Sequence, residues 1–348
     1  MSRVLGVWAD AGLDVQLRTS LAQGLAPRTR RDGYRVLRRG GRLAVFPEAI
    51  VAEVTGRAGP RPDAVVEAWN GVPFLTPLWF RGPRLTVLHH VHADMWPLVL
   101  PGPLARLGWL LEGTLAPPLY RHTAIVTNSA SSRDEIVGRL GLPAANIEVV
   151  PPGIDPRWHP DPEGDRHPRP LVVAVGRLVP HKHFDTLLRV AAEVRRTVPD
   201  LEVVIVGEGY ERPNLEALVA GLDAGSWVSL VGRVDDDTLR SHYQQAWVVA
   251  AASTAEGFGM TLTEAAACGT PAVATDIAGH RDAVVDGTSG LLADSPAAFA
   301  AQLTAVLTDP QLRSRLCDGA RRRAAELTWE ATATTMFDTL TASNRRKG

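Results

Sequence analysis

The chain has 348 residues, 45% hydrophobic and 22% charged, with a formal net charge of -1. That length carries two domains of ordinary size, and so even a charge balance excludes a nucleic-acid binder that works through a large basic field. Two cysteines, Cys268 and Cys317, exclude a disulfide framework and fit a reducing cytosol, while no apolar run reaches the about 18 residues of a membrane span.

Residues 4–11 predict the end of a helix closed by Gly12. Residues 14–20 alternate as a strand, 34–38 form another that ends at Gly40-Gly41, and strands over 64–69 and 85–91 follow. Trp96 and Trp109 flank an apolar stretch at 97–111. Burial preferences favour core packing for these rings, and contact with lipid is the other reading. Residues 124–129 predict a strand, then a helix from Ser131 with Ser131 or Ser132 as its cap and Asp134 and Glu135 in its first turn. Residues 147–150 close this half. Strands alternating with helices predict a mostly parallel, doubly wound sheet.

Residues 151–170 hold seven prolines and many charges. That shift predicts a linker at 156–170, between a domain at 1–155 and a second at 171–325, with a C-terminal helix and tail over 326–348. In the second domain six short apolar runs start at Leu171, Glu202, Val228, Val248, Ala272 and Gly290, and three of them end in glycine, at Gly176, Gly207 and Gly232. The opening octapeptide, Met1-Ser-Arg-Val-Leu-Gly-Val-Trp8, does not read as a signal peptide. The expected location is cytoplasmic, with peripheral contact at the inner membrane face left open.

One stretch organises the rest: Glu256-Gly-Phe-Gly-Met-Thr-Leu-Thr-Glu264, which follows the apolar run at 247–253 and precedes a helix stopped by Gly269 and Pro271. It predicts a strand-to-helix turn on a parallel sheet. Gly257 and Gly259 let the backbone come close to a ligand, and the free amides of the helix start favour an anion. With Glu256 before the turn and Glu264 inside the helix, the pattern suits a molecule with phosphates in the middle and hydroxyls at both ends, as a nucleotide-sugar has.

In order and spacing, four pieces resemble the family-4 retaining glycosyltransferases of GT-B fold: Gly176-Arg177-Leu-Val-Pro-His-Lys182, Val206-Gly207-Glu208-Gly209, Glu256 through Glu264 as the family's E-x7-E, and Gly269-Thr-Pro271 followed by Thr275-Asp276 and Gly287 to Leu292. The resemblance implies an α/β architecture of two Rossmann-like doubly wound domains facing each other across a cleft, the acceptor on the N-terminal one and the nucleotide-sugar on the C-terminal one. It implies that Arg177 and Lys182 hold the diphosphate, Glu256 lies near the donor hexose and Glu264 accepts from the ribose hydroxyls. Gly257, Phe258 and Gly259, with the helix start at Met260 and Thr261, would offer amides to phosphate, while Gly176, Gly207, Gly232 and Arg233 would line the donor. A histidine faces the transferred sugar in this family; in Leu88-His89-His90-Val-His92, His89 fits best and His92 is second. The implied partners are a nucleotide-sugar co-substrate, with no cofactor, and a carbohydrate, lipid-linked or small-molecule acceptor.

Three other readings are weighed. Three histidines within four residues invite a metal, but strand alternation would split them between faces and only Asp94 is near to complete a set. Asp235-Asp236-Asp237 reads more simply as a helix start, and Cys268 as a core thiol. The family's opening strand and glycine-rich loop are not found before residue 2, and His280-Arg281-Asp282 stands where the family often has Pro-Glu. A non-catalytic nucleotide-sugar binder is therefore the alternative to a transferase, and a glycoside hydrolase a more distant one.

Overall fold

The computed structural model describes residues 1–41, 44–57, 59–92, 96, 101–161 and 164–345. Asp94, residues 97–100 of the apolar stretch and the last basic residues lie outside the described residues. Backbone proximity divides the chain into two compact units, Met1–Gly153 with Trp329–Gly348, and Ile154–Thr328.

The first unit opens with a helix, Ser2–Asp10, and a three-stranded sheet of β1 (Gln16–Thr19), β2 (Arg28–Arg31) and β3 (Tyr34–Arg38). β1 runs parallel and β2 antiparallel to β3, which lies between them. Strand β2 reads Arg-Thr-Arg-Arg and is exposed throughout, so no hydrophobic alternation announces it. The signal that could have found it is Asp32-Gly33, both at positive φ, the two-residue turn that suits a twisted hairpin.

A second sheet takes β4 (Val65–Ala68), β5 (Arg84–Val87), β6 (Ala124–Thr127) and β7 (Ile147–Val149) in that order, all parallel. The first half thus holds two sheets where the alternation predicted one. Val4, Leu5 and Trp8 pack with Leu85, Val87 and Val126, and Ala333, Met336 and Leu340 join the same core. Ile125, Ile136, Leu140, Tyr120 and Trp69 fill another. The C-terminal helix Trp329–Arg345 therefore belongs to this unit rather than standing apart: its apolar stripe has no other core to enter, and Trp8 Nε1 donates to the Ala333 carbonyl at 3.0 Å.

Two local expectations change. The helix Ala130–Leu140 is capped by Ser129, whose Oγ accepts from the Ser132 amide at 3.1 Å, so Asp134 and Glu135 fall beyond its first turn. Trp96 is buried at 8% exposure, as core packing required, but Trp109 is 52% exposed.

In the second unit β8 (Leu171–Val175), β9 (Glu202–Val206), β10 (Val228–Gly232), β11 (Val248–Ala251), β12 (Ala272–Thr275) and β13 (Gly290–Ala293) form one parallel sheet in the order β10-β9-β8-β11-β12-β13. Val172 and Ala174 face one core, Leu171 and Val173 the other. Burial on both faces is why these strands read as unbroken apolar runs.

The predicted linker is part of this unit. Ile154 and Trp158 are buried in its core, the His167 amide donates to the Gln245 carbonyl at 3.0 Å, and Trp247 Nε1 donates to the His167 carbonyl at 2.7 Å. Prolines here fix an irregular path instead of marking a free one.

The Trp8 ring joins the first helix to the C-terminal one. Trp8→Ala is expected to lower the stability of the first unit by about 3–5 kcal/mol through cavity and lost packing, and Trp8→Phe by less, in urea unfolding followed by circular dichroism. Equal costs would mean that the ring's bulk is not what matters.

Candidate functional site

Strand order reverses between β8 and β11, so the chain leaves their carboxyl ends in opposite directions and a ligand crevice is expected there. The loops after these strands are pinned together: the Thr254 amide donates to the His181 carbonyl at 2.9 Å. The loop after β8 is tied to the one after β9 by Leu178 N to Glu208 O at 3.0 Å, and Gly207 N reaches the Gly232 carbonyl at 2.8 Å. A methyl on Gly207 would collide with the Gly176 carbonyl, and one on Gly209 with that of Leu178. The Val206-Gly207-Glu208-Gly209 glycines are thus set by close backbone approach.

Lys182 ends a short turn, Pro180–Lys182, and its ammonium pairs with Glu256 across the two loops. The same Glu256 oxygen accepts from Ser253 Oγ at 2.8 Å. Both side chains are largely buried, at 14% and 18% exposure, so each charge depends on the other. His280 completes this cluster. Its Nδ1 lies 2.8 Å from the Thr275 carbonyl, which can only accept, so that nitrogen carries the proton. Burial lowers its pKa ahead of the opposing Thr275 and Glu256 contributions, so the ring is neutral at pH 7. Gly279 packs against the Glu256 carbonyl with no room for a side chain. Arg281 instead holds Asp276 through two hydrogen bonds, at 2.6 and 2.8 Å. Arg177 and Arg233 are exposed, each without an ion pair among the described residues.

From Glu256 the chain passes exposed Gly257, buries Phe258 in the core beside Leu262 and Ala283, and enters the helix Met260–Ala267 through Gly259 at φ 69°. No side chain caps this helix, so the amides of its first turn, at Met260 and Thr261, are left for a ligand. Glu264, one turn in, accepts from Tyr243 Oη at 3.2 Å. Burial raises its pKa to about 7, against the pull of Tyr243 and Arg157. Glu256 with Lys182 and Glu264 with Tyr243 are therefore two neighbourhoods at the two ends of one turn. Asp235 caps the helix Asp236–Gln245, accepting from the Thr238 amide at 2.8 Å, and Cys268 is buried with its thiol pushed up to about 12.

The histidines lie in the first unit. Strand β5 ends at Val87, and 89–92 are irregular, so strand alternation does not assign their faces. His89 keeps an exposed edge while the atoms packed around its ring, and secondarily the chain amino terminus and His90, push its pKa down to about 4. The ring centroids of His90 and His92 lie 4.3 Å apart, with the planes tilted by 34°. Sequence reasoning missed their support, Glu112, which is fully buried in a π-turn at Leu111–Leu115. It accepts from the His92 amide at 2.9 Å and from Trp96 Nε1 at 2.7 Å, and it lies 3.5 Å from His92 Nδ1. A lone acid inside an apolar run was the only signal for it. Among the described residues no group of three potential ligands is placed to hold a metal ion.

Residues 4–158 match the family model described as Glycosyltransferase Family 4, and residues 159–323 the one described as Glycosyl transferases group 1. A D-inositol 3-phosphate glycosyltransferase of Salinispora arenicola is 35% identical over 239 residues, 62% of this chain and 53% of that protein, so the chain spans about half the length of such relatives. A GDP-mannose-dependent alpha-(1-6)-phosphatidylinositol monomannoside mannosyltransferase of Mycolicibacterium smegmatis is 32% identical over 288 residues, 76% of this chain and 72% of that one. Sucrose-phosphate synthase from Thermosynechococcus elongatus superposes with a TM-score of 0.75 at 22% identity, over 98% of this chain and 92% of that one. With two matching family models in tandem, a relative aligned over most of both lengths and a GT-B fold, this chain belongs to glycosyltransferase family 4.

Proposed function

We propose that the chain is a retaining hexosyltransferase that uses a UDP- or GDP-sugar. The observation that supports this reading best is the uncapped helix start at Met260, set between the buried Lys182–Glu256 pair and the carboxylate of Glu264. Helix amides and a cation suit a diphosphate, and a carboxylate at each end suits hexose and ribose hydroxyls. As the bond from the anomeric carbon to the diphosphate oxygen breaks, the electron pair leaves with the diphosphate. Lys182, Arg177 and the helix start meet that charge where it develops. The acceptor oxygen then bonds to the same face of the sugar, and its proton passes to the departing diphosphate. No residue is assigned as a covalent nucleophile, and no metal is given a role.

We assign acceptor recognition to the first unit, with His89 or His92 offering a ring nitrogen to a sugar hydroxyl and Glu112 holding the loop that carries His92. The names of the relatives, one for inositol 3-phosphate and one for a phosphatidylinositol mannoside, favour an inositol-bearing acceptor. Peripheral membrane contact is part of the reading. The helix Gly102–Leu110 and the turn beyond it expose Leu104, Leu107, Trp109, Leu110 and Leu115. Arg106 and Arg121 are exposed in the same stretch, while its single acid, Glu112, is buried. Apolar side chains with basic neighbours suit an anionic lipid surface. Among the described residues no helix is long and apolar enough to cross a membrane.

Transfer is tested by incubating UDP- and GDP-hexoses with inositol-bearing acceptors in the presence of EDTA and reading the product's anomeric configuration by NMR. Lys182→Ala and Glu256→Ala are each expected to lower turnover roughly 10²–10³-fold while the thermal unfolding transition persists. Full activity in both variants would remove these roles. The raised pKa of Glu264 sets a pH dependence. The folded protein keeps this proton between the ordinary carboxyl value of 4.5 and about 7, so nucleotide affinity is expected to rise as pH passes through 7 and to level off above it. Calorimetry on Glu264→Gln should give a flat profile; an unchanged rise would place the titrating group elsewhere. Co-sedimentation with phosphatidylglycerol vesicles should fall at least about tenfold in the double variant Leu107→Glu, Trp109→Glu.

A further inference from the structure

A cavity of about 330 Å³ in the second unit is lined by Arg166, Arg313, Arg321, Trp247, Ser314 and Cys317. It lies away from the candidate donor residues. Arg166 bonds to the carbonyls of Ala246 and Gly269 and to Thr270 Oγ1, residues that precede β11 and β12, so the cavity is at the amino ends of the strands. The residues of the proposed donor site follow the carboxyl ends.

Among the described residues, three arginines and no carboxylate line this cavity. Arg166 is held by three carbonyls, those of Gln244, Ala246 and Gly269, by a hydroxyl at 2.7 Å and by the Cys317 sulfur at 3.5 Å, and among the described residues no carboxylate pairs with it. A guanidinium sheltered from water without an anion is costly. Arg313 spends Nη1 on the carbonyls of Val306 and Leu307, at 2.8 and 3.3 Å, and lies 4.0 Å over the Trp247 ring. Its Nε and Nη2 have no acceptor among the described residues. Arg321 pairs with Asp318 through one nitrogen and lies against Gly269 with another. Burial lowers the pKa of Arg166 and Arg313 first; Cys317 opposes it at both and Asp309 at Arg313, while a neighbouring guanidinium lowers each further. Like charges gathered around a cavity are relieved by an anion inside it. Planar guanidiniums with free N–H groups match the oxygens of a phosphate in particular. The volume has room for a phosphorylated sugar and is at the small end of ligand pockets.

We infer that the cavity bounded by Arg166, Arg313 and Arg321 is a second anion site of this chain, one that takes a small phosphorylated ligand and is distinct from the proposed donor site. Arg313 and Arg321 supply the free donors, and Arg166 the half-buried charge that the anion neutralises.

The test is calorimetric titration with inorganic phosphate. The double variant Arg177→Ala, Lys182→Ala is the background throughout, so that phosphate held by these two cations at the proposed donor site does not contribute. Arg313→Gln and Arg321→Gln are added singly, with thermal unfolding as the check on folding. Both positions are partly open to solvent, so these substitutions leave the core intact. The expected result is saturable binding in that background that weakens at least about tenfold with either Arg313→Gln or Arg321→Gln. No saturable binding in the background variant, or binding that survives both substitutions, overturns the site. Neither result bears on the transferase reading, which stands or falls on turnover with nucleotide-sugars.

Discussion

Strand β8 is hydrogen-bonded to β9 on one side and to β11 on the other, and its connections leave toward both. Because all three strands are parallel, their carboxyl ends stand at one edge, and the chain leaves β8 and β11 there toward opposite sides. Most of the candidate donor residues follow from that constraint. Lys182 arrives from one loop, Glu256 from the other, and the backbone bond from Thr254 to His181 keeps them opposed. The glycines at 207 and 209 are there because neighbouring backbones come too close for a side chain.

The charges around that edge are arranged by burial more than by proximity alone. Lys182 and Glu256 are mostly withdrawn from water and satisfy each other, so a phosphate that approaches Lys182 competes with a carboxylate already in place. Glu264 has a neutral partner, Tyr243, and burial makes its carboxyl easier to protonate in spite of that hydrogen bond. Two acids of one E-x7-E pattern therefore differ in character because of what packs around them. The same logic makes Glu112 informative in the first unit. A fully buried carboxylate that accepts from the His92 amide and the Trp96 ring holds a loop that has no strand pairing of its own beyond Leu88.

The errors of the sequence reading share a cause. Runs of three serines at 129, 131 and 132 all carry cap chemistry, and only the backbone angle at Ser129 selects among them. Leu88 and Val91 are buried and extend the apolar pattern of β5 past its end at Val87, so the strand looks longer than it is. A proline-rich composition predicts a linker at 156–170, yet Trp158 and Ile154 enter a core and carry the segment with them. Strand β2 has no apolar residue at all and is legible only through its Asp-Gly turn.

By itself the sequence determined the six strands of the second unit, the two α/β halves and the family, because parallel strands buried on both faces leave continuous apolar runs and because glycine and proline turns are short-range features. Only the tertiary structure decided which groups meet. Lys182 and Glu256 are 74 residues apart, His92 and Glu112 are 20, and Arg166 and Cys317 are 151. Their partnerships depend on strand order and on the path of buried backbone, which local periodicity does not encode.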